Sequence, residues 1–298
     1  MTTAFPRVVV VTRETEYQLL LARHATLGQA EFFLKSRGRS IADVRRRHEL
    51  FESALGAVLA AVPVEWRVSR VRRRDLSRFL FEPGDTIVAV GQDGLVANVA
   101  KYLDGQHVIG INPDRERNEG VLVPHPPEAI GDLLVPAAQR RARTIARVMA
   151  EVAVDDGQSL LALNELFLGV RTHQSARYRI RCRGREERQS SSGLIVATGT
   201  GATGWARSIH QERHSALTLP GPGEERIAFF VREAWPSVAT RTGLTEGLLG
   251  AGETLEVVSE MDDGGVVFGD GVEEDFLRFE WGTTAIVRVS PRRLVLVV

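Results

Sequence analysis

Three short apolar runs constrain this chain most: Val8 to Val11, Thr86 to Val90 and Val108 to Ile111. None holds a charged side chain. Successive side chains of a strand point to opposite faces, so a strand apolar at every position must be covered on both sides. Helical stretches lie between the runs. One is expected from about Glu14 to Leu34, interrupted by the loop Ser36 to Ser40. A second, Ile41 to Ala61, places Ile41, Val44, Leu50, Leu55, Val58 and Leu59 near helical spacing and stops at Pro63. Val64 to Val68 alternates as a strand does, and a third helix is expected from about Leu95 to Leu103. Strands alternating with helices predict a Rossmann-like α/β domain, a mostly parallel sheet with helices on both faces.

The pattern changes after the proline-rich segment Pro124 to Pro127 and Pro136. One helix is expected from about Ala137 to Ala150. Short strand candidates follow at 159–169, 176–183, 193–198, 226–232, 253–259, 265–269, 276–281 and 284–290, separated by Gly, Asp and Ser. They predict a mostly β second domain, a layered sheet or sandwich. The expected domains are 1–133 and 134–298, and the last strand is a candidate to return to the first. Leu217 to Glu225, which contains Pro220-Gly221-Pro222-Gly223, reads as a mobile surface loop.

Composition narrows the classes. The 298 residues carry 38 basic and 38 acidic side chains, a formal net charge of zero, which argues against a protein that mainly grips nucleic acid. Cys182 is the single cysteine, which excludes a disulfide framework and a Cys-based zinc finger. The histidines show no paired metal-ligand spacing, so no protein-held metal is expected. No segment reaches 18 uncharged apolar residues, so no membrane span is expected. Only six residues precede Arg7, which leaves no room for a targeting peptide and predicts a cytoplasmic protein.

Four segments carry candidate chemistry. Gly91-Gln92-Asp93-Gly94 lies between a buried strand and a helix, where open α/β sheets bind ligands. Its glycines allow close approach to a phosphate, and Asp93 is placed to take or orient a hydroxyl proton. The same residues also read as a plain turn with Asp93 as helix N-cap. Asn164-Glu165 is a polar pair in an apolar stretch, suited to ribose hydroxyls or a base edge, or else a satisfied structural pair at a strand end. Ser191 to Trp205 runs from a strand into small residues and hydroxyls that can lie against a nucleotide, with Trp205 covering a ring; a flexible linker is the alternative. Asp270-Gly271 is first of all a hairpin signal.

In this order and at these spacings the segments resemble the NAD kinases, most closely the mitochondrial-type branch, over nearly the whole chain. Gly91 to Leu95 stands where the family has Gly-Gly-Asp-Gly-Thr. Val108 to Gly120 resembles that branch's strand and loop, Asn164-Glu165 its Asn-Glu pair, and Ser191 to Gly201 its third motif. Asp270-Gly271 falls where the family has an Asp-Gly. The resemblance implies transfer of the γ-phosphoryl group of ATP to the 2′-hydroxyl of the adenosine ribose of NAD, giving NADP. It implies Asp93 as the catalytic carboxylate. Gly91, Gly94, Asn112, Asn164, Glu165, Thr198, Gly199, Thr203 and Trp205 become nucleotide-binding residues. Magnesium arrives with ATP, and the protein is a homodimer. Two residues depart from the pattern. If the second glycine of the loop needs positive φ, Gln92 costs roughly 1–2 kcal/mol. Leu95 replaces a threonine hydroxyl, about 0.5–1.5 kcal/mol for one hydrogen bond. These departures predict a slowed or retuned kinase and motivate one alternative, a catalytically weak or silent NAD(H)- or NADP-binding sensor. A lipid kinase of the diacylglycerol or sphingosine type shares the loop signature and is a second alternative.

Overall fold

The computed structural model describes residues 5–298. They form two compact units, one running to Ile145 and taking in Val295–Val298, the other Ala146–Leu294.

The first unit contains β1 (Arg7–Thr12), α1 (Glu16–His24), α2 (Leu27–Lys35), α3 (Ile41–Ala60), β2 (Arg67–Arg72), β3 (Thr86–Val90), α4 (Asp93–Ala100), β4 (His107–Ile111) and α5 (Ile130–Ala138). The strands pair in parallel in the order β2-β1-β3-β4. Val295 and Leu296 add one more parallel pairing beside His107 and Val108 of β4. Val8 to Val11 and Ile87 to Val90 are fully buried, as predicted for strands covered on both faces. Phe51, Leu55 and Val58 of α3, with Ile130 and Leu134 of α5, pack onto Val8, Val10, Val88 and Ile109.

Several boundaries differ from expectation. The helix expected over 14–34 is two helices, because Ala25 turns to φ 60 and Thr26 caps α2 by accepting from the Gln29 amide. The strand expected at 64–68 begins later, at Arg67, because a turn closes first with the Trp66 amide on the Pro63 carbonyl. The helix expected over 137–150 is absent. α5 ends at Ala138, Arg140 takes φ 56, and Thr144 to Val154 is extended, as its many β-branched residues favour.

That strand, β5 (Thr144–Val154), leads into the second unit. There follow β6 (Ser159–Ala162), β7 (Glu165–Val170), β8 (Ala176–Cys182), β9 (Arg185–Ser191), β10 (Leu194–Ala197), α6 (Trp205–Glu212), β11 (Arg226–Val231), β12 (Glu246–Gly250), β13 (Thr254–Ser259), β14 (Gly265–Gly269), β15 (Phe276–Arg278) and β16 (Thr284–Val297). One layer runs β16-β13-β8-β9, with β5 beside β16 and β6 beside β5. The other is a six-stranded antiparallel sheet, β12-β11-β10-β7-β14-β15. Val152, Leu168, Tyr178, Phe229, Val257, Phe279 and Val287 belong to one buried core. Ala206 and Ile209 of α6 pack with Phe167, Ile195 and Phe230 of the six-stranded sheet. This is the mostly β layered architecture expected. The stretch 159–169 is two strands, broken at Leu163-Asn164, and β9, β12 and α6 lie outside the expected elements.

Candidate active-site residues

In the first unit β3 ends at Val90 and the chain enters α4 through Gly91 and Gln92. Gln92 holds the N-cap position without a side-chain capping bond, so Asp93 is not the cap. The Asp93 carboxylate instead accepts three consecutive backbone amides. Oδ2 takes Val121 at 3.1 Å, and Oδ1 takes Leu122 at 2.8 Å and Val123 at 3.2 Å. A carboxylate offers about four lone-pair directions, so Oδ2 keeps one for a hydroxyl proton. The presenting segment lies against β4: a Cβ on Gly110 would sit 2.1 Å from the Leu122 carbonyl oxygen. Asn112 is buried and committed to the next loop. Its Nδ2 donates to the Asn118 carbonyl at 3.0 Å, and its Oδ1 accepts the Asp114 amide at 3.1 Å.

Neither departure behaves as the sequence suggests. Gln92 has φ −109 and ψ 166, ordinary extended backbone, so no glycine conformation is required there. Its side chain links two loops, accepting from Arg13 Nη2 at 3.1 Å and donating to Asn118 Oδ1 at 2.9 Å. Leu95 is 1% exposed and packs toward Gly91, where a Cβ would meet Leu95 Cδ2 at 3.3 Å. It is a core residue. Gly94 has open space where a Cβ would stand.

In the second unit Asn164-Glu165 is a caged turn. Asp270, at φ 54, accepts the Leu163 amide on Oδ2 at 2.9 Å. Its Oδ1 accepts the amides of Asn164 at 2.7 Å and Glu165 at 3.3 Å. Thr198 holds the carbonyls: its hydroxyl donates to Leu163 O, and its amide to Asn164 O at 2.9 Å. Gly201 closes the cage, since a Cβ there would lie 2.1 Å from the Asn164 carbonyl oxygen. The backbone is thus fixed, while the side chains of Asn164 and Glu165 have no hydrogen-bond partner among the described residues. Burial, and secondarily the negative Asp270, push the Glu165 carboxyl up to about 7.

Thr198 itself is fully buried, and its hydroxyl also accepts the amides of Thr200 and Gly201. It builds the loop. The Thr203 hydroxyl donates to the Thr200 carbonyl at 3.1 Å. Gly199, Thr203, Arg207, His210, Leu217 and Pro220 line a cavity of about 550 Å³. The segment 217–225 is tied down rather than free. His210 Nε2 bonds the Leu217 carbonyl at 2.8 Å, Pro222 accepts the Val148 amide at 3.0 Å, and a Cβ on Gly199 would collide with the Gly221 carbonyl. Trp205 opens α6. It is 39% exposed, near-parallel to Phe167 with centroids 6.2 Å apart, and the Arg232 guanidinium lies 4.9 Å from its ring centre.

The structure therefore groups Gly91, Asp93, Gly94 and Asn112 around one loop of the first unit. It groups Asn164, Glu165, Thr198, Gly199, Thr203 and Trp205 around β7, β10 and α6 of the second. Asp270 is not a two-residue hairpin turn, since β14 and β15 are joined by 270–275 and its carboxylate organises the Asn-Glu turn. The amides of 121–123 and the bridge through Gln92 have no signature in the sequence.

No family model matches the chain. It is 28% identical to "NAD kinase 2, mitochondrial" of Rattus norvegicus, over 76% of this chain and 73% of that protein. It is 29% identical to the Homo sapiens protein of the same name, over 71% of this chain and 59% of that one. The fold matches the crystal structure of an NAD kinase from Archaeoglobus fulgidus in complex with ATP, with TM-score 0.58, 20% identity, and 98% and 93% of the two chains covered. It also matches yeast NADH kinase complexed with NADH, with TM-score 0.59, 14% identity, and 99% and 84% covered. In sequence, over most of its length, this chain is similar to mitochondrial NAD kinases, and its fold is that of solved NAD and NADH kinases.

Proposed function

We propose that the protein is an NAD kinase, transferring the γ-phosphoryl group of ATP to the 2′-hydroxyl of the adenosine ribose of NAD. The observation that carries this is the Asp93 carboxylate, oriented by three amides with one lone-pair direction of Oδ2 left over, in a chain similar to NAD kinases along most of its length. The 2′-oxygen bonds to the γ-phosphorus as the bond to the β–γ bridging oxygen breaks. ADP leaves, and the hydroxyl proton passes to Asp93 Oδ2. Gly91 and Gly94 let the loop approach phosphates, and Asn112 holds the neighbouring loop in shape. Asn164 and Glu165, on a fixed turn with unengaged side chains, recognise nucleotide hydroxyls and base. Gly199, Thr203 and Trp205 line the NAD-binding surface of the second unit, and Thr198 supports it from beneath. Magnesium enters as MgATP and neutralises charge on the donor.

The sensor alternative rests on Gln92 and Leu95. With Gln92 unstrained and Leu95 in the core, that motive is gone. The similarity to NAD kinases likewise speaks against a lipid kinase. The resemblance to the mitochondrial-type branch supports a homodimer, which sedimentation measures directly. No helix among the described residues is long and apolar enough to cross a membrane. The relatives carry a mitochondrial name, and fractionation of tagged protein distinguishes that location from the expected cytoplasmic one.

The test is formation of NADP from MgATP and NAD, read by a coupled dehydrogenase. Asp93→Ala should cut turnover at least ~100-fold, the scale of one positioned acid–base group, with little change in NAD affinity. NAD binding without NADP formation by the unmodified protein would overturn the proposal.

A further inference from the structure

A cavity of about 620 Å³ lies on the hairpin of α1 and α2 in the first unit, away from Asp93. That size falls within the range of small-molecule sites, roughly 300–1,000 Å³. Its walls include Arg23, His24, Gln29, Phe32, Phe33 and Arg37, and none of the lining residues is acidic. Both guanidiniums lie against one ring: Arg37 is 3.8 Å and Arg23 5.4 Å from the Phe33 centroid. Arg37 donates only to neutral acceptors, the Phe33 carbonyl and the Ser36 hydroxyl, and neither arginine has an ion-pair partner among the described residues. The His24 ring packs 4.5 Å from Phe33, and its Nε2 is buried without a hydrogen-bond partner. Phe32 stands 75% exposed at the rim. A ring left in water thus stands beside two guanidiniums that have no carboxylate partner among the described residues, which describes half of an interaction.

We propose that this cavity binds a small organic phosphate carrying a flat apolar ring. The phosphate oxygens take the two guanidiniums, which suit bidentate recognition of a planar array of acceptors. The ring of the ligand covers Phe32. The site uses none of the residues assigned to phosphoryl transfer, so it stands or falls independently of that activity.

Calorimetric titration with phenyl phosphate tests it, with inorganic phosphate and phenol as the two half-ligands. Phenyl phosphate should bind one site per chain, at least about tenfold tighter than either half-ligand. Arg23→Ala with Arg37→Ala should weaken it by at least about tenfold. Phe32→Ala should weaken phenyl phosphate severalfold and leave inorganic phosphate unchanged. All three side chains are exposed, so the variants should fold, which circular dichroism checks. No heat at about 10 mM phenyl phosphate, some 2–3 kcal/mol of binding, overturns the proposal. So does equal binding by the arginine variant, which would place the ligand elsewhere.

Discussion

Replacing Glu165 by glutamine should make the protein more stable and less able to bind NAD. Burial and the Asp270 charge hold the Glu165 carboxyl near about 7 in the folded protein, against 4.5 for the ordinary group. Between those two values the folded protein keeps a proton that the unfolded chain has released. Raising the pH through that window therefore costs stability. Below it both states are protonated and there is no cost; above it both are ionised and the full cost stands. A gap of about 2.5 units, at about 1.4 kcal/mol per unit, is roughly 3 kcal/mol. Glutamine has the same shape and no charge to desolvate. Urea unfolding of both proteins between about pH 5 and 8 should show the variant gaining on the unmodified protein as pH rises, by up to roughly 3 kcal/mol. Calorimetry at neutral pH should show weaker NAD binding by the variant. A stability difference that does not change with pH, or a variant that is the less stable at pH 8, would refute the argument.

Asp270→Asn removes the charge beside Glu165 and keeps one acceptor oxygen for the Asn164 and Glu165 amides, at the loss of the bond from the Leu163 amide. The midpoint of the pH-dependent stability difference should fall from about 7 while staying above 4.5, because burial is the larger cause of the shift. Leu95→Thr buries a hydroxyl and leaves a void in the core, so it should cost about 2–4 kcal/mol by denaturation and should not raise turnover, even combined with Gln92→Gly. Gly110→Ala puts a methyl 2.1 Å from the Leu122 carbonyl oxygen and forces that segment off β4, so turnover should fall more steeply than NAD affinity as the 121–123 amides leave Asp93.

Which features the sequence reveals follows from where their information lies. β1, β3 and β4 are readable because strands buried on both faces must be apolar throughout. β9 is Arg-Glu-Glu-Arg-Gln-Ser-Ser, with no such pattern, and becomes a strand only through its ladder with β8. The arginines at 140, 141 and 143 look like good helix formers, whereas the chain reverses at Arg140 and the residues beyond it are needed in a sheet. Asp93, Asn164 and Glu165 stand out because polar side chains between apolar elements call for an explanation. The groups that orient them are backbone amides, which every non-proline residue carries and no sequence displays. The strain expected at Gln92 exists only if the loop is left-handed at that residue, and its φ of −109 shows that it is not.

The first unit is discontinuous, and this imposes an order in time. Val295 to Val298 complete its sheet and core: Val297 is fully buried, His125 Nε2 bonds its carbonyl at 3.0 Å, and the Val298 amide donates to Arg143. A ribosome must therefore make all of residues 146–294 before the sheet can close beside β4. At roughly 5–20 residues per second that delay is on the order of ten seconds. Throughout it, the His107-Val108 end of β4 lacks its partner on one edge, the other end being held by His125, and such an open apolar edge is the kind of surface that recruits chaperones or other nascent strands. The yield of folded protein should therefore respond to translation speed and chaperone supply more than the stability of the finished chain would suggest.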